Sequence, residues 1–516
     1  MQGPEDNAFW NIAIVGGGTA GYLAALTLRA FHPKAKLTLI ESSKIPIIGV
    51  GESTTSEIVP FLHKVLDLDI EEFYRKVIPT WKLGIKFIWG PLEKSYFNYP
   101  FDRGLILEAQ MYEGHTRNFS LSAALMSSDR SLLLAAAGTH VSLLCEQPFG
   151  YHLDNRRFVR YLTEKAAERG IEVLDLEIVD GVLAPNGESI DHLVTSDGRK
   201  LSFDFYVDCT GFRSLLIERV LGSRFISYED SLYTDSAVIA NAPHQGQIKP
   251  YTTAETMDHG WCWNIPQIDE DHLGYVFSSR FCNIDEATVE FQTKKPGIHD
   301  LWTVKFRSGR HQDFVKGNVA AIGNSYGFVE PLESTAIFVI CRESLLLARH
   351  LESIVRDESI KQFLNTTVSS VWDYIRWFLS IHYRFNDRSM TPFWRECRST
   401  VAIDGATTIL DRYQRAAPLI YSEASFGFAG GPNFDAFGYD VLLFGQGVPA
   451  NYLPPRQDHV EYADYQQQIK NLVTKAIPQR DALYVITREK PELLYDSLNT
   501  NSWVNRMADL MGAACG

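Results

Sequence analysis

The sequence predicts a two-lobed α/β protein, with a β-rich insertion in the first lobe and a mainly helical second lobe. Three observations predict it. A β-branched run at 11–15 passes through Gly16-Gly17-Gly18-Thr19-Ala20-Gly21 into an alanine- and leucine-rich helical stretch. Two later apolar runs, 205–209 and 318–322, also end at glycine junctions, Thr210-Gly211 and Gly323-Asn324. Past Ile337 the texture changes to long helical stretches at 338–356, 360–384 and 462–477. The first lobe is therefore discontinuous over 1–340, with the insertion at about 225–310 and the second lobe over 341–516. At 516 residues the chain exceeds what one compact core normally fills.

Strand, glycine turn and helix in that order are the setting of a Rossmann-like dinucleotide site. Gly16 permits the tight turn, Gly18 lets backbone approach a pyrophosphate, and Gly21 lets helix and strand pack closely. Thr19 and Ala20 open the helix, whose first N–H groups and positive dipole end favour phosphate. The next strand, 36–40, runs into Glu41, about twenty residues on, where a ribose hydroxyl acceptor is expected. A second glycine-rich loop follows, Ile48-Gly49-Val50-Gly51-Glu52-Ser53-Thr54. Strand-to-glycine junctions spread over most of the first lobe suit one long ligand threaded through a discontinuous module. FAD, of the flavin-monooxygenase arrangement, fits that layout better than NAD.

The intervening chain supplies the other parts. The segment 76–89 reads as strand, with Lys82 and Lys86 among apolar neighbours, and 96–101 as an aromatic turn. A polar-faced helix is expected at 154–170, capped by Asp154, and a strand at 171–182 with Ile178 near its middle. The stretch 232–283 has β character and contains Trp261-Cys262-Trp263-Asn264-Ile265-Pro266. Rich in Gly and Phe, 426–451 reads as an irregular apolar loop covering a pocket.

Apolar residues at 45% and charged ones at 22% place the chain among soluble globular proteins. A formal charge of −14 argues against a nucleic-acid face, which needs a positive footprint. No apolar run reaches the roughly 18 residues of a membrane span, and residues 1–10 lack a signal-peptide pattern. A cytoplasmic protein without membrane contact is expected. Seven dispersed cysteines, with no CxxC pair, fit a reducing compartment and give no reason to expect a disulfide or a metal site.

Four features stand in order over nearly the full length: GGGTAG at 16–21, TWKLGIKF around Lys82, Trp261-x-Trp263-x-Ile265-Pro266, and FVEPLEST at 328–335. Together they resemble the flavin-dependent halogenases of the tryptophan-halogenase type. The resemblance implies FADH2 delivered by a separate flavin reductase, oxygen giving a flavin hydroperoxide, and chloride or bromide converting it to hypohalous acid. That acid then reaches a small, electron-rich aromatic substrate, an indole or tryptophan-like compound, in a second chamber. Lys82 matches the lysine that hydrogen-bonds or captures the halogen, Glu333 the assisting glutamate, and Ser334 the tunnel wall beside it. The amides of Thr335 and Ala336 fall where the family binds halide. Flavin contacts are implied for Gly16, Gly18, Thr19, Ala20, Gly21, Glu41, Val50, Ser53, Ile178, Asn324 and Ile337. A homodimer is compatible with the resemblance.

Chemistry agrees with these assignments. Hypohalous acid is a small neutral oxidant that hydrogen-bond donors must direct, and a desolvated lysine suits that task. A neighbouring glutamate can stabilise an arenium cation and take its proton. Lys86, by contrast, reads as a snorkelling strand lysine, and the tryptophans 261 and 263 as packing on one strand face. Two departures from the family pattern stand out. Ala336 replaces a glycine, and since a positive φ costs more with a β-carbon, either the loop is ordinary there or the halide site is altered. Tyr99-Pro100-Phe101 replaces a His-Pro-Phe turn, and the charged clamp for a free amino acid is missing, although Glu423 could meet an ammonium. Tyr99, Phe101, Phe434 and Phe437 are the expected substrate contacts. The rival readings are a single-component FAD-dependent aromatic hydroxylase, which would lack the Lys82 and tandem-Trp pattern, and a non-catalytic flavin-binding protein, which would tolerate loss of Lys82 or Glu333.

Overall fold

The computed structural model describes residues 10–45, 51–102, 116–244, 246–420, 434–452 and 459–511. Its first sheet has six strands in the order Glu172–Asp175, Lys36–Glu41, Asn11–Val15, Phe205–Asp208, Val319–Ala321 and Val315–Lys316. The first five are mutually parallel, with Ile14 opposite both Leu39 and Val207, and the sixth turns back antiparallel. Ile12, Ile14, Leu37, Leu39 and Val207 are all buried, because helices cover a parallel sheet on both faces. The glycine junctions after 15, 208 and 322 gather at the carboxyl ends of adjacent strands, where open α/β sheets bind ligands. Helix Thr19–Phe31 packs against helix Ala336–Arg356, and buried side chains from before and after residue 340 form one continuous apolar core.

The insertion forms five strands of a second sheet, in the order His299–Lys305, Ser236–Ala242, Asp271–Phe277, Gly260–Pro266 and Thr252–Met257. Strands Gly84–Ile88 and Phe97–Pro100 complete it. A small third sheet joins Gly51–Ser53, Gly150–Asp154 and Thr80–Lys82. Lys82 thus ends one sheet just before the chain enters another.

Four local expectations are corrected. Segment 76–89 is not one strand: Lys76 lies in helix Ile70–Val77, and Leu83 separates two short strands in different sheets. The 96–101 turn is strand Phe97–Pro100, paired with Gly84–Ile88. Segment 171–182 is two strands, and Ile178 begins the second; the same alternation serves a parallel pairing to Lys36–Glu41 and then an antiparallel one to Ile190–Thr195. Where described, 426–451 contains helix Ala436–Gly445, every residue of it buried. A helix enclosed on all sides shows no polar period, so its sequence resembled an apolar loop. Asp435 caps it, accepting from Gly438 N at 3.1 Å.

The remaining helices run close to expectation, as Asn155–Glu168 with Asp154 as cap, Ala336–Arg356, Glu358–Arg384 and His459–Lys475. No described helix is long and apolar enough to cross a membrane, and the six described cysteines are unpaired. The described residues hold no His/Cys/Asp/Glu group suited to a metal ion.

Candidate active site

Lys82 is fully buried, and its Nζ donates to Ser334 Oγ at 2.7 Å. The ammonium stands 5.2 Å from the centre of the Phe101 ring. Burial pushes Lys82 down from its ordinary 10.5 to about 7, against the upward pull of Glu333 and Glu57. A lysine so placed can donate a hydrogen bond or expose a free amine near neutral pH.

The partner loop is shaped by its own sequence. Pro331 opens a tight 3-10 turn, Pro331–Glu333, and helix Ala336–Arg356 starts directly afterwards with Thr335 at its cap. Between them Ser334 is left-handed, at φ 58°. Ala336 is the first helical residue, so its backbone is the ordinary one of the two alternatives, and the left-handed position falls at Ser334. No side chain caps this helix, which leaves the Thr335–Ala336 end of it with unsatisfied N–H donors.

Glu333 has a partner that the sequence did not disclose. Its Oε1 lies 2.7 Å from His382 Nε2, with both side chains buried. His382 Nδ1 lies 3.0 Å from Phe378 O, a carbonyl that can only accept. Nδ1 therefore carries a hydrogen, and Nε2 is the ring atom that faces Glu333. Forty-nine residues of sequence separate the two, with no spacing rule to link them. The aromatic density near 382 was the one available signal.

Rings surround this pair. His382 lies 5.3 Å from Phe87 and Phe378 and 6.2 Å from Trp89, whose Nε1 donates to His382 O. Phe434 stacks on Phe378 at 3.9 Å, and Tyr99 approaches it at 6.2 Å. Tyr99 and Phe434 thus meet around Phe378, and Phe101 stands by Lys82. Phe437 packs instead on Phe119, at 6.3 Å. Glu423 lies outside the described residues.

Gly16, Gly18, Thr19, Ala20, Gly21 and Glu41, expected at the flavin, lie at the carboxyl edge of the first sheet. Gly16, at φ +123°, would put a Cβ 2.1 Å from Cys209 O, and Gly21 one 1.8 Å from Gly16 O. Only glycine fits either place. A Cβ on Gly18 meets nothing within 4 Å, and the helix beginning at Thr19 has no side-chain cap. Open space before uncapped N–H groups suits a pyrophosphate. Thr19 Oγ1 is engaged by Asn155, leaving its amide, while Ala20 crowds Gly323. Burial raises the Glu41 carboxyl, and the nearby Tyr22 hydroxyl opposes that rise.

Asn324 lies in the turn Gly323–Ser325, which Glu343 fastens by accepting from Gly323 N at 2.7 Å and Trp372 Nε1 at 2.9 Å. Ile337 is buried in the first turn of its helix, and Ile178 O accepts from Arg213 at 3.4 Å. Ser53 accepts from Ser334 Oγ at 3.1 Å. Val50 lies outside the described residues. Trp261 and Trp263 lie side by side, 6.0 Å apart, with Trp263 over Gly274.

Residues 11–462 match the family described as tryptophan halogenase. The chain belongs to the tryptophan halogenase family. This halogenase is 43% identical to MibH, a lanthipeptide tryptophan 5-halogenase of known structure, with a TM-score of 0.93 over 98% of this chain and 100% of that one. The tryptophan 6-halogenase of Streptomyces toxytricini superposes with a TM-score of 0.83 at 29% identity, over 92% and 99% of the two chains. A 7-chloro-L-tryptophan 6-halogenase of Kutzneria sp. (strain 744) is 32% identical over 79% of this chain and 85% of its own. The protein is accordingly an enzyme, a flavin-dependent halogenase built on an FAD-binding α/β module.

Proposed function

We propose that this halogenase chlorinates or brominates the indole of a tryptophan residue carried in a peptide, using FADH2 from a separate flavin reductase. The observation that carries the chemistry is the buried Lys82 ammonium, held by Ser334 at 2.7 Å beside Phe101, with Glu333 close enough to act on its charge. The peptide substrate is supported by the likeness to a lanthipeptide tryptophan halogenase and by the missing clamp for an amino-acid zwitterion. A cytoplasmic setting, which supplies reduced nicotinamide to the reductase, belongs to this reading.

The strand ends and helix start at Gly16, Gly18, Thr19, Ala20, Gly21 and Glu41 would hold the dinucleotide end of the flavin. Ser53, Ile178, Asn324 and Ile337 would line its remainder. Bound reduced flavin, with oxygen and halide, supplies hypohalous acid. The Thr335 and Ala336 amides present positive dipole ends to the halide. Lys82 orients the acid by donating to it, or takes the halogen on its amine. Phe101, Tyr99 and Phe434 hold the indole by ring packing. Glu333 stabilises the arenium charge and removes its proton, and His382 fixes the direction of the carboxyl.

The purified protein is incubated with a flavin reductase, NADH and bromide, with either a tryptophan-containing peptide or free L-tryptophan. The expected product is brominated peptide, seen by its isotope doublet, with free tryptophan turned over about 100-fold more slowly, as loss of paired charges at a zwitterion would give. Equal rates on both would remove the peptide claim. Nicotinamide oxidation by the protein alone, with hydroxylated product, would replace the halogenase reading with the hydroxylase one.

A further inference from the structure

Behind Lys82 a file of hydroxyls leads to a buried histidine. Lys82 Nζ donates to Ser334 Oγ at 2.7 Å, and Ser334 Oγ donates to Ser53 Oγ at 3.1 Å. Ser53 Oγ lies 2.7 Å from Thr252 Oγ1, which lies 2.9 Å from His152 Nε2. His152 Nδ1 lies 3.1 Å from Thr80 Oγ1, and Thr80 Oγ1 donates to Pro266 O at 2.6 Å. Every side chain in the file is buried.

The far end fixes every donor. A carbonyl only accepts, so the Thr80 hydrogen goes to Pro266 O. Thr80 then has nothing to offer His152, and Nδ1 must carry the hydrogen. Burial and the nearby Lys82 charge hold His152 well below its ordinary range, so the ring is neutral and Nε2 accepts. Thr252 therefore donates to His152, Ser53 to Thr252, Ser334 to Ser53, and Lys82 to Ser334. All the hydrogens between Lys82 and His152 point one way, although their owners come from four strands and one loop.

We propose that Ser334, Ser53 and Thr252 form a proton wire through which Lys82 exchanges its proton with His152 during halogen transfer. This rests on the halogenase reading above. An N–H bond of the ammonium breaks towards Ser334, each hydroxyl passes its own hydrogen onward, and a new N–H bond forms at Nε2. Lys82 is left a neutral amine and His152 an imidazolium, with no change in total charge. The amine lone pair takes the halogen of hypohalous acid as the oxygen–halogen bond breaks, and the departing hydroxide leaves as water with a proton from that nitrogen. When the ring takes the halogen, the nitrogen keeps the electron pair and recovers its proton from His152 through the wire. The arenium proton goes to Glu333, which later restores the lysine to its ammonium form.

Burial weakens proton binding at both ends, and the Lys82 charge that further lowers His152 is gone once the proton has left the lysine. The charged groups acting on the lysine end are Glu333 and Glu57, and the one acting on His152 is Lys82. His152, Thr252 and Ser53 act through Lys82 and are positioning residues.

The test centres on Thr252, which is in neither the flavin set nor the substrate set. In the full chain labelled with 15N-histidine, His152 should show a hydrogen on Nδ1 and a bare, accepting Nε2. A hydrogen on Nε2 would overturn the wire, whatever the enzyme does. In the holoenzyme with reductase, bromide and peptide, T252V should lower turnover about 10-fold, with T252S within about two-fold of wild type. Turnover in mixtures of light and heavy water should give a bowed curve for wild type and T252S and a straight line for T252V. A bowed curve in T252V, or equal losses in T252V and T252S, would make the file structural only. Absence of halogenated product with wild type would instead tell against the proposed function, and the histidine spectrum would still read the wire.

Discussion

Glu333 Oε1 and His382 Nε2 lie 2.7 Å apart, both buried within an aromatic surround. The histidine thus fixes the direction of the carboxyl that is to take the arenium proton. E333Q keeps the shape and removes that capacity. Halogenation of the ring should fall about 100-fold, as general-base loss does. Hypohalous acid should still form and be caught by a soluble acceptor. An E333Q enzyme within two-fold of wild type would exclude this role.

Lys82 gives a stability prediction with a definite sign. Its pKa falls from 10.5 in the open chain to about 7 when folded. Below pH 7 the folded protein must bury a charge, and stability is lowest; above about 10.5 both states are neutral and the penalty is gone. K82M removes the titration, and Glu57, relieved of its cationic neighbour, protonates more readily as the pH falls. Relative to wild type, K82M should therefore melt higher at pH 6 than at pH 10, by on the order of 3 kcal/mol. The reverse order in thermal scans would mean that the buried ammonium is better compensated than its surroundings indicate.

Ser334 combines left-handed backbone with a hydroxyl that Lys82 needs. S334G relieves the backbone but loses the acceptor, and S334A loses the acceptor while keeping the strain. Both should be less stable than wild type, with S334A lower than S334G by about 1 kcal/mol. Denaturant midpoints of the three proteins measure this directly. Equal midpoints for S334A and S334G would show that the loop relaxes.

What could be read from the sequence was what local spacing encodes. Gly16, Gly18, Gly21 and Glu41 share one βαβ unit, so their meeting followed from chain order. Lys82 and Ser334 were linked only through the resemblance, since 252 residues separate them and no periodicity joins a strand end to a loop. His382 and His152 were invisible for the same reason: each owes its place to packing between distant elements. The fully buried helix Ala436–Gly445 was misread because an enclosed helix loses the polar face that marks one. The left-handed backbone at Ser334 carried no sequence signal, since the residue there is not a glycine.

Gly18 separates fold from ligand. Its backbone, at φ −85°, is open to any residue, and a Cβ there meets no atom within 4 Å. G18A should therefore fold as wild type does, with a melting temperature within about 1 °C, because neither strain nor clash is introduced. The same methyl would stand before the uncapped N–H groups of the helix Thr19–Phe31, in the space a pyrophosphate would take. Flavin affinity should fall at least about 10-fold, since close backbone approach to the phosphates is lost. G21A makes the contrast: its Cβ would lie 1.8 Å from Gly16 O, so stability should fall along with affinity. Melting curves and flavin fluorescence titrations on the two variants read both quantities. Unchanged flavin affinity in G18A would place the pyrophosphate away from this helix end and would remove Gly18, Thr19 and Ala20 from the site together.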